Sequence, residues 1–316
     1  MINKTENKIS VVAVVGPTAS GKSNLGVEIA LRKNGEIVSA DSMQIYKEMN
    51  IGTAKPTEEE MKGVPHHLID FVEINQTFSV ADYVSLASKC ISEIYEKNKL
   101  PLIVGGTGLY VNSLLNNIQF YENDKDDKLR EELTEKAEKE GSQVLVSELK
   151  SFDPESANRI HPNNISRLIR AIEIYRTTGV TMTEQIRKSK EKPAPYKVCY
   201  IGLDYKNRQN LYSKINKRVD TMIKNGLIDE AREILHKSNS KTALQAIGYK
   251  ELIPYFNQKC TLDEAVDNIK RESRRYAKRQ LTWFRRNENI NWIYLDDYKN
   301  INDVTFEALN IIDREG

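Results

Sequence analysis

Short apolar runs, several of them rich in β-branched residues, recur along the chain and alternate with stretches long enough to form helices. The clearest run, residues 11–15, reads VVAVV and is bounded by Gly16 and Pro17, which is typical of a parallel strand buried on both faces. Further runs that end in turn or polar residues lie at 36–40, 67–70, 100–104, 198–203 and 292–295. Strands that alternate with helices predict an α/β fold with a parallel sheet.

The strand pattern disappears between residues 117 and 197, where apolar residues recur at helical spacing instead. The residues that define this spacing are Leu129, Leu133 and Ala137, followed by Ile165, Leu168, Ile169 and Ile172. We therefore expect an all-helical domain at 118–197, inserted into a core formed by 1–117 and 198–316. The stretch 188–195, KSKEKPAP, is typical of a linker, and helical spacing returns from 210 to 286.

The composition is that of a folded protein, since 39% of the 316 residues are hydrophobic and 29% are charged. No apolar run approaches the roughly 20 residues of a membrane helix, and the start, MINKTENK, lacks the pattern of a secretory signal. We expect a cytoplasmic protein that acts without a membrane. The three cysteines form no CxxC pair and are expected to be reduced structural thiols.

The formal net charge of +2 says little about partners, but the cations are unevenly placed. Between Lys270 and Arg286 lie eight cations and one anion, a local net charge of +7. Tyr276, Trp283 and Phe284 are interleaved with these cations. That combination favours an RNA-binding surface made of phosphate contacts and base stacking, although one helix cannot turn both Trp283 and Phe284 outward.

A complete G-x-x-x-x-G-K-S motif follows the first predicted strand and precedes a helical pattern. In this P-loop, backbone N–H groups surround a diphosphate, the lysine adds a positive charge, and the serine hydroxyl can ligate Mg²⁺. We expect the loop to bind a diphosphate and Ser23 to bind the metal. The residues of the loop are Gly16, Pro17, Thr18, Ala19, Ser20, Gly21, Lys22 and Ser23.

A diphosphate-binding loop does not by itself say which bond is broken. Kinases use such a loop to hold a donor while its terminal phosphoryl group leaves. The same hydrogen-bond donors would stabilise a whole diphosphate that leaves from carbon. Both chemistries remain open on the motif alone.

Two carboxylates follow predicted strands. Asp41 should face the P-loop cleft, where it could act as a general base or bind Mg²⁺ through water, or could cap the next element. Asp70 ends the run Leu68–Ile69–Asp70, which fits either a Walker-B strand or a turn. His66 and His67 lack a third metal ligand and are expected to be structural.

Two further patterns allow a functional and a structural interpretation. Gly105 and Gly106 precede Thr107, so the backbone could approach a ligand and the Thr107 hydroxyl could enter the cleft, or Thr107 could cap a helix. Arg167 and Arg170 share one helix face, which could hold phosphate or be solvated.

Taken in order, these motifs resemble the tRNA dimethylallyltransferase (tRNA isopentenyltransferase) family of bacterial type. The matching segments span nearly the whole chain. They are GPTASGKS at 16–23, DSMQIY at 41–46, IGTAKPT at 51–57, HHLID at 66–70, GGTGLY at 105–110, ISRLIRAIEIY at 165–175, RVDTMIKNGLIDE at 218–230, QAIGYKE at 245–251 and AKRQLTWFRR at 277–286.

The resemblance implies a P-loop core with an inserted helical domain and no zinc. We expect a monomer that uses Mg²⁺. It implies transfer of a dimethylallyl group from dimethylallyl diphosphate to N6 of the adenine 3′-adjacent to the anticodon, in tRNAs that read codons beginning with U. By position, Asp41 matches the general base, and Thr107 and Arg218 match catalytic residues near the transferred group and its diphosphate. The positions that match contacts to the tRNA anticodon stem-loop are Asp41, Ser42, Met43, Gln44, Thr107, Arg130, Ser166, Arg167, Leu168, Ile169 and Arg170.

Two other functions fit parts of the pattern. A P-loop kinase for a nucleotide or small metabolite would place ATP in the loop and the acceptor beside Asp41. A non-catalytic RNA-binding protein would use the loop as a nucleotide-sensing switch. A prenyl-transfer assay on unmodified tRNA separates both from the transferase.

Overall fold

The structure is a computed structural model that describes residues 8–118, 126–191, 193–237 and 245–315. The chain forms two compact units. The core unit contains Met1–Leu115 and Pro195–Gly316, and the insert unit contains Asn116–Ala194. Residue 192 of the expected linker lies outside the described residues.

A six-stranded parallel sheet forms the centre of the core unit, so the predicted α/β fold is confirmed. The strands are β1 (Ile9–Val15), β2 (Gly35–Ser39), β3 (His66–His67), β4 (Leu100–Gly105), β5 (Tyr196–Asp204) and β6 (Ile290–Tyr294). Their spatial order is β3-β2-β4-β1-β5-β6, which puts β1 between β4 and β5.

The third strand is shorter than the pattern at 67–70 predicts. Leu68 and Asp70 have φ angles of 58° and 56°. Because this left-handed conformation turns the backbone out of an extended path, the strand ends at His67.

The helices connect the strands and build the insert. They are α1 (Lys22–Lys33), α2 (Glu58–Met61), α3 (Val80–Glu96), α4 (Gly108–Leu115), α5 (Asp127–Glu140), α6 (Gln143–Phe152), α7 (Pro154–Arg159), α8 (Ile165–Thr178), α9 (Met182–Glu191), α10 (Arg208–Lys224), α11 (Leu227–Lys237), α12 (Ile253–Phe256), α13 (Leu262–Phe284) and α14 (Ile301–Glu315). Since α9 continues to Glu191, the expected linker 188–195 is partly helical. None of these helices, within the part of the chain that is described, is both long and apolar enough to cross a membrane.

Alternate side chains of β1 pack on opposite faces of the sheet. Val11 and Val15 lie in a cluster with residues of α3 and α4, whereas Val12 and Val14 pack with residues of α1 and α14. All four side chains are almost fully buried. The sheet is therefore covered on both faces, which leaves the carboxyl ends of its strands as the edge where loops can form a site.

The helix α13 is the longest in the core unit and begins with a capping box between Thr261 and Glu264. Its buried face carries apolar residues and one amide, Gln280, which is 5% exposed. Together with α10 and α11 it encloses a second apolar cluster around Tyr249.

The helices α5 to α9 form the insert unit. The predicted stripe of Leu129, Leu133 and Ala137 is buried there. Leu168, Ile169 and Ile172 of α8 are buried in the same cluster. The helical periodicity of the insert is thus confirmed, with Ile165 only partly buried at the start of α8.

Candidate active site

A cavity of about 300 Å³ lies at the carboxyl ends of β1, β2 and β4 in the core unit. The P-loop, the turn after β2, the loop after β4 and the helices α10 and α13 line it. Among its polar lining residues are Lys22, Ser23, Asp41, Arg218, Tyr276 and Gln280. The sequence-predicted residues Lys22, Ser23, Asp41 and Arg218 therefore meet in one cavity. Thr107 follows Gly106, which lines the same cavity.

The P-loop adopts a conformation that requires its glycines. Gly16 has a φ of 147°, and a Cβ there would lie 2.6 Å from the Leu203 carbonyl oxygen. Gly21 has a φ of 82°, and Ala19 also takes a positive φ, of 63°. The loop ends directly in α1, which starts at Lys22, so the N-terminus of this helix faces the loop. This is the geometry in which backbone N–H groups and a helix dipole attract an anion.

Two cations of the cavity are desolvated and close to each other. Burial, together with the nearby Arg218, lowers the pKa of Lys22 to about 7, although Asp41 partly opposes the shift. Burial likewise lowers the pKa of Arg218, again against the effect of Asp41. The Lys22 ammonium donates a 2.6 Å hydrogen bond to the Pro17 carbonyl oxygen within its own loop. A polyanion entering the cavity would relieve the repulsion between Lys22 and Arg218.

Asp41 serves as a cap and also faces the cations. Its Oδ1 accepts hydrogen bonds from the backbone N–H groups of Met43 at 2.9 Å and Gln44 at 3.3 Å. The capping interpretation is thus correct for this oxygen, but the capped segment is a turn rather than a helix. Within the described residues, Oδ2 has no hydrogen-bond donor, so it is available to a ligand in the cavity.

Thr107 holds the turn after β2 rather than capping α4. Its hydroxyl oxygen accepts the backbone N–H of Ser42 at 3.0 Å and lies 3.3 Å from the Ser42 hydroxyl. The Tyr276 hydroxyl also bonds to Thr107, and burial with the nearby Asp41 raises the pKa of Tyr276. Tyr276 therefore keeps its phenol proton beside Asp41 and Thr107.

The paired glycines after β4 make room for protein atoms. A Cβ on Gly105 would collide with the backbone of Ala40, and one on Gly106 would collide with the Gln280 amide. The space that a side chain would need at each glycine is therefore filled by Ala40, just after β2, and by α13. The backbone of both glycines lines the cavity, so its close approach to a ligand stays a prediction.

The side chains of Arg218 and Gln44 form hydrogen bonds to a loop for which the sequence pattern predicted no role in the site. Both side chains donate to the Thr53 carbonyl oxygen, at 3.4 Å from Arg218 and 3.2 Å from Gln44. Glu230 of α11 fixes this loop by accepting three successive backbone N–H groups, those of Asn50, Ile51 and Gly52, at 2.8 to 2.9 Å. The Gln44 side chain, expected to contact tRNA, thus bonds to the core unit itself.

Sequence reasoning did not assign Tyr276, Gln280 or Glu230 to this cavity, although it placed Tyr276 in the predicted RNA-binding segment. Gln280 stood within the matching segment 277–286, which gave it no role. Glu230 stood within a matching segment but its three backbone partners lie about 180 positions earlier in the chain. Spacing could not reveal such a contact.

Asp70 and the two histidines lie outside the cavity. Asp70 is 54% exposed and forms an ion pair with Lys55, so the Walker-B interpretation is wrong. His66 bonds to the Val64 carbonyl oxygen and His67 to the Glu36 carboxylate, as expected of structural histidines. Among the described residues, no three His, Cys, Asp or Glu side chains are grouped as metal ligands.

The residues of the insert predicted to contact tRNA differ in exposure. Ser166 and Arg167 are exposed, whereas Leu168 and Ile169 are 0% and 7% exposed and pack in the insert core. The Leu168 and Ile169 side chains are thus corrected from surface contacts to core residues. Arg130 lies on the surface of the same unit, where both oxygens of the buried Glu173 bind it, each at 2.8 Å. Arg170 bonds to Glu173 as well, at 2.7 Å.

The cationic segment 270–286 is less charged at its surface than its composition suggests. Acidic partners neutralise Lys270, Arg275 and Arg285, with N–O distances of 2.6 to 2.7 Å. Among the described residues, Lys278, Arg279 and Arg286 have no carboxylate partner. Phe284 is in the core and Trp283 packs against it, as expected for a helix with one buried face.

Similarity to known proteins decides the family. A family model described as IPP transferase matches residues 44–287. The chain belongs to the IPP transferase family. This match begins within the turn after β2 and includes all of α13.

Individual members of the IPP transferase family align over nearly the whole chain. A tRNA dimethylallyltransferase of Caldanaerobacter subterraneus is 51% identical, with 95% of each chain covered. One from Halalkalibacterium halodurans is 50% identical over 92% of each chain. The crystal structure of the full-length tRNA isopentenylpyrophosphate transferase of Bacillus halodurans superposes with a TM-score of 0.73, at 45% identity, covering 98% of this chain and 97% of that one. A eukaryotic dimethylallyltransferase acting on tRNA also gives 0.73, at 28% identity, covering 87% and 70%.

Proposed function

We propose that this IPP transferase transfers a dimethylallyl group from dimethylallyl diphosphate to N6 of the adenine 3′-adjacent to the anticodon, in tRNAs that read codons beginning with U. The product is N6-(dimethylallyl)adenosine. This reaction is supported by relatives that are named tRNA dimethylallyltransferase. They are 50% and 51% identical to this chain over 92% and 95% of both chains. We further propose that the enzyme acts in the cytoplasm as a monomer.

The choice of donor rests on one observation: the cavity has both cationic and apolar lining residues. Beside the cations Lys22 and Arg218, the helix α10 presents the apolar residues Ile215, Val219 and Met222 to the same cavity. These recur at helical spacing and form one stripe next to Arg218. A prenyl diphosphate has a matching charged head and short hydrocarbon tail, whereas the sugar of a nucleotide donor would leave polar groups against this stripe.

The P-loop end would hold the leaving diphosphate. Backbone N–H groups of the loop, the Lys22 ammonium and the Arg218 guanidinium all act on the charge that develops as the C–O bond breaks. Ser23 lines the cavity directly after Lys22, and its hydroxyl is of the type that would hold Mg²⁺. When bound, the metal would supply further neutralisation of the leaving group.

The acceptor end would be built around Asp41. The N6 lone pair of adenine is delocalised into the ring, so N6 needs a base that removes its proton as the new N–C bond forms. The Asp41 carboxylate takes this proton while the electron pair of the broken C–O bond leaves with diphosphate. The adenine must first be extruded from its stack, at a cost of a few kcal/mol. Phosphate contacts from Arg130, Arg167 and Arg170 of the insert would offset that cost.

A transfer assay tests the proposal. Unmodified tRNA is incubated with the protein, Mg²⁺ and either dimethylallyl diphosphate or ATP, and the digested RNA is analysed by mass spectrometry. We expect one C₅H₈ unit on the adenine next to the anticodon with the prenyl donor. A phosphate gain with ATP would identify a kinase, and tRNA binding without any mass gain would identify a binding protein.

A further inference from the structure

Gln280 connects two loops of the cavity through a single buried amide. Its Oε1 accepts the backbone N–H of Thr18 in the P-loop at 2.8 Å. Its Nε2 donates to the carbonyl oxygen of Gly106, after β4, at 2.9 Å. Because one partner can only donate and the other only accept, the two contacts fix the orientation of the amide.

The loop after β4 is shaped to receive α13 at this point. A Cβ on Gly106 would lie well inside 3.0 Å of the Gln280 Nε2, and one on Gly108 would collide in the same way with the Trp283 ring. Gln280 and Trp283 are three residues apart and so share a face of the helix. The two glycines therefore accommodate two side chains of α13.

The loops joined by Gln280 carry the two halves of the proposed chemistry. The P-loop holds Lys22 and Ser23, which would bind the diphosphate. The loop after β4 holds Thr107, which fixes the Asp41 turn through the Ser42 N–H at 3.0 Å. The Gln280 amide thus lies between the leaving-group side and the base side of the cavity.

We propose that Gln280 is a positioning residue that sets the separation between the diphosphate and the base. This inference rests on the proposed function, because it concerns the geometry of that reaction. Misplacement of reacting groups by about 1 Å can lower a rate by about 10²-fold. Breaking the Gln280 bridge should therefore slow the transfer step more than it weakens either substrate.

The first test is Gln280→Met, which keeps the length of the side chain and removes its hydrogen bonds to both loops, together with its hydrogen bond to Tyr276. We expect the single-turnover rate to fall by about tenfold or more, with the KM of each substrate changed less than about threefold. Gln76→Met, on an exposed loop of the core unit, is the matched control and should behave as wild type. A wild-type rate in Gln280→Met would overturn the proposal.

A second variant tests the bond to Gly106 separately. The carboxylate in Gln280→Glu can still accept from the Thr18 N–H but cannot donate to the Gly106 carbonyl, whereas its protonated form can. The rate of Gln280→Glu relative to wild type at the same pH should therefore rise as the pH falls. A ratio that does not change with pH would contradict the role of this donor.

A third measurement does not depend on activity. Gly106→Ala should lower the melting temperature because its Cβ would collide with Gln280, and the loss should be smaller in a Gln280→Ala background. If the loss of melting temperature in the double variant equals the sum of the losses in the two single variants, the contact between Gly106 and Gln280 is disproved, and the bridge with it. Absence of prenyl transfer by the wild type, with strong coupling in this cycle, would instead refute the proposed function.

Discussion

Asp41 illustrates how one side chain can satisfy two sequence-based interpretations. One oxygen caps the turn after β2 through two backbone N–H groups. The carboxylate also lies close enough to Lys22, Arg218 and Tyr276 to influence the pKa of each. The cap keeps the carboxylate in place, and its charge partly balances the two cations before a ligand binds.

Asp41→Asn separates the cap from the proposed general base, because the amide oxygen can still accept both N–H groups while the proposed base is lost. We expect kcat to fall by about 10²-fold or more, with tRNA affinity changed less than about twofold. Rates from single turnover and tRNA binding by filter retention check this. Asp70→Asn alters an exposed carboxylate outside the cavity and should leave kcat unchanged, and an active Asp41→Asn would exclude Asp41 as the base.

Lys22 predicts a pH dependence of diphosphate binding. With a pKa of about 7, this lysine is largely neutral in the free protein above that pH, whereas a bound diphosphate favours its ammonium form. Binding should therefore take up a proton, and affinity should fall as the pH rises above about 7.

Calorimetry of pyrophosphate binding at about pH 8, in buffers of different ionisation enthalpy, measures this uptake. In the matched variant Lys22→Arg, residue 22 stays charged. Pyrophosphate binding to this variant should therefore lack the proton uptake that the lysine contributes. Equal proton uptake by wild type and Lys22→Arg would show that Lys22 does not titrate on binding.

At the scale of elements, α10 contributes both a cationic and several apolar side chains to the lining of the cavity. Arg218 lines the cavity together with Ile215, Val219 and Met222 of the same helix. If the proposed donor binds here, one helix would fix the distance between its head group and its hydrocarbon. The length of the prenyl tail that the cavity accepts should depend on the size of these apolar residues.

Met222→Ala should enlarge the apolar end of the cavity. Since Met222 is only partly buried, its replacement should be tolerated by the fold. We expect the ratio of kcat/KM for geranyl diphosphate to that for dimethylallyl diphosphate to rise by about tenfold or more. Competition between the two donors measures the ratio. Leu86→Ala, at an exposed position of α3, should leave it unchanged, and an unaltered ratio in Met222→Ala would remove this residue from the tail site.

Features that depend on residues close together in the sequence could be predicted, whereas contacts between residues far apart in the sequence could not. The P-loop could be predicted because Gly16, Gly21 and Lys22 act through their own backbone and the adjoining helix. The run at 67–70 misled because the φ angles of Leu68 and Asp70 depend on tertiary contacts such as the Asp70 N–H bond to the Gln44 carbonyl oxygen. The charge of 270–286 was overestimated because its acidic partners Asp204 and Asp220 lie elsewhere in the sequence.

At the scale of the whole molecule, the insert unit is a candidate for holding the RNA while the core unit carries the chemistry. Buried Glu173 orients Arg130 and Arg170 and removes one unit of their charge. Arg167 is exposed and, among the described residues, has no ion-pair partner. It is thus the cation of α8 best placed to gain a phosphate contact.

Arg167→Gln should weaken tRNA binding and reduce the slope of log affinity against log salt by about one. The affinity for pyrophosphate should not change, because the proposed diphosphate site lies in the core unit. Arg187→Gln is the matched control, since Arg187 is an exposed arginine of the same unit already paired with Glu155 at 3.0 Å. Equal salt slopes for Arg167→Gln and wild type would place the RNA elsewhere.

The Thr18–Gln280 hydrogen bond joins residues 262 positions apart. During synthesis on the ribosome the P-loop therefore emerges well before its partner on α13. A nascent chain can form the first strands of the sheet long before it can close the pocket. Chains that terminate before Gln280 should then bind diphosphate poorly, so that they neither consume the prenyl donor nor alkylate RNA.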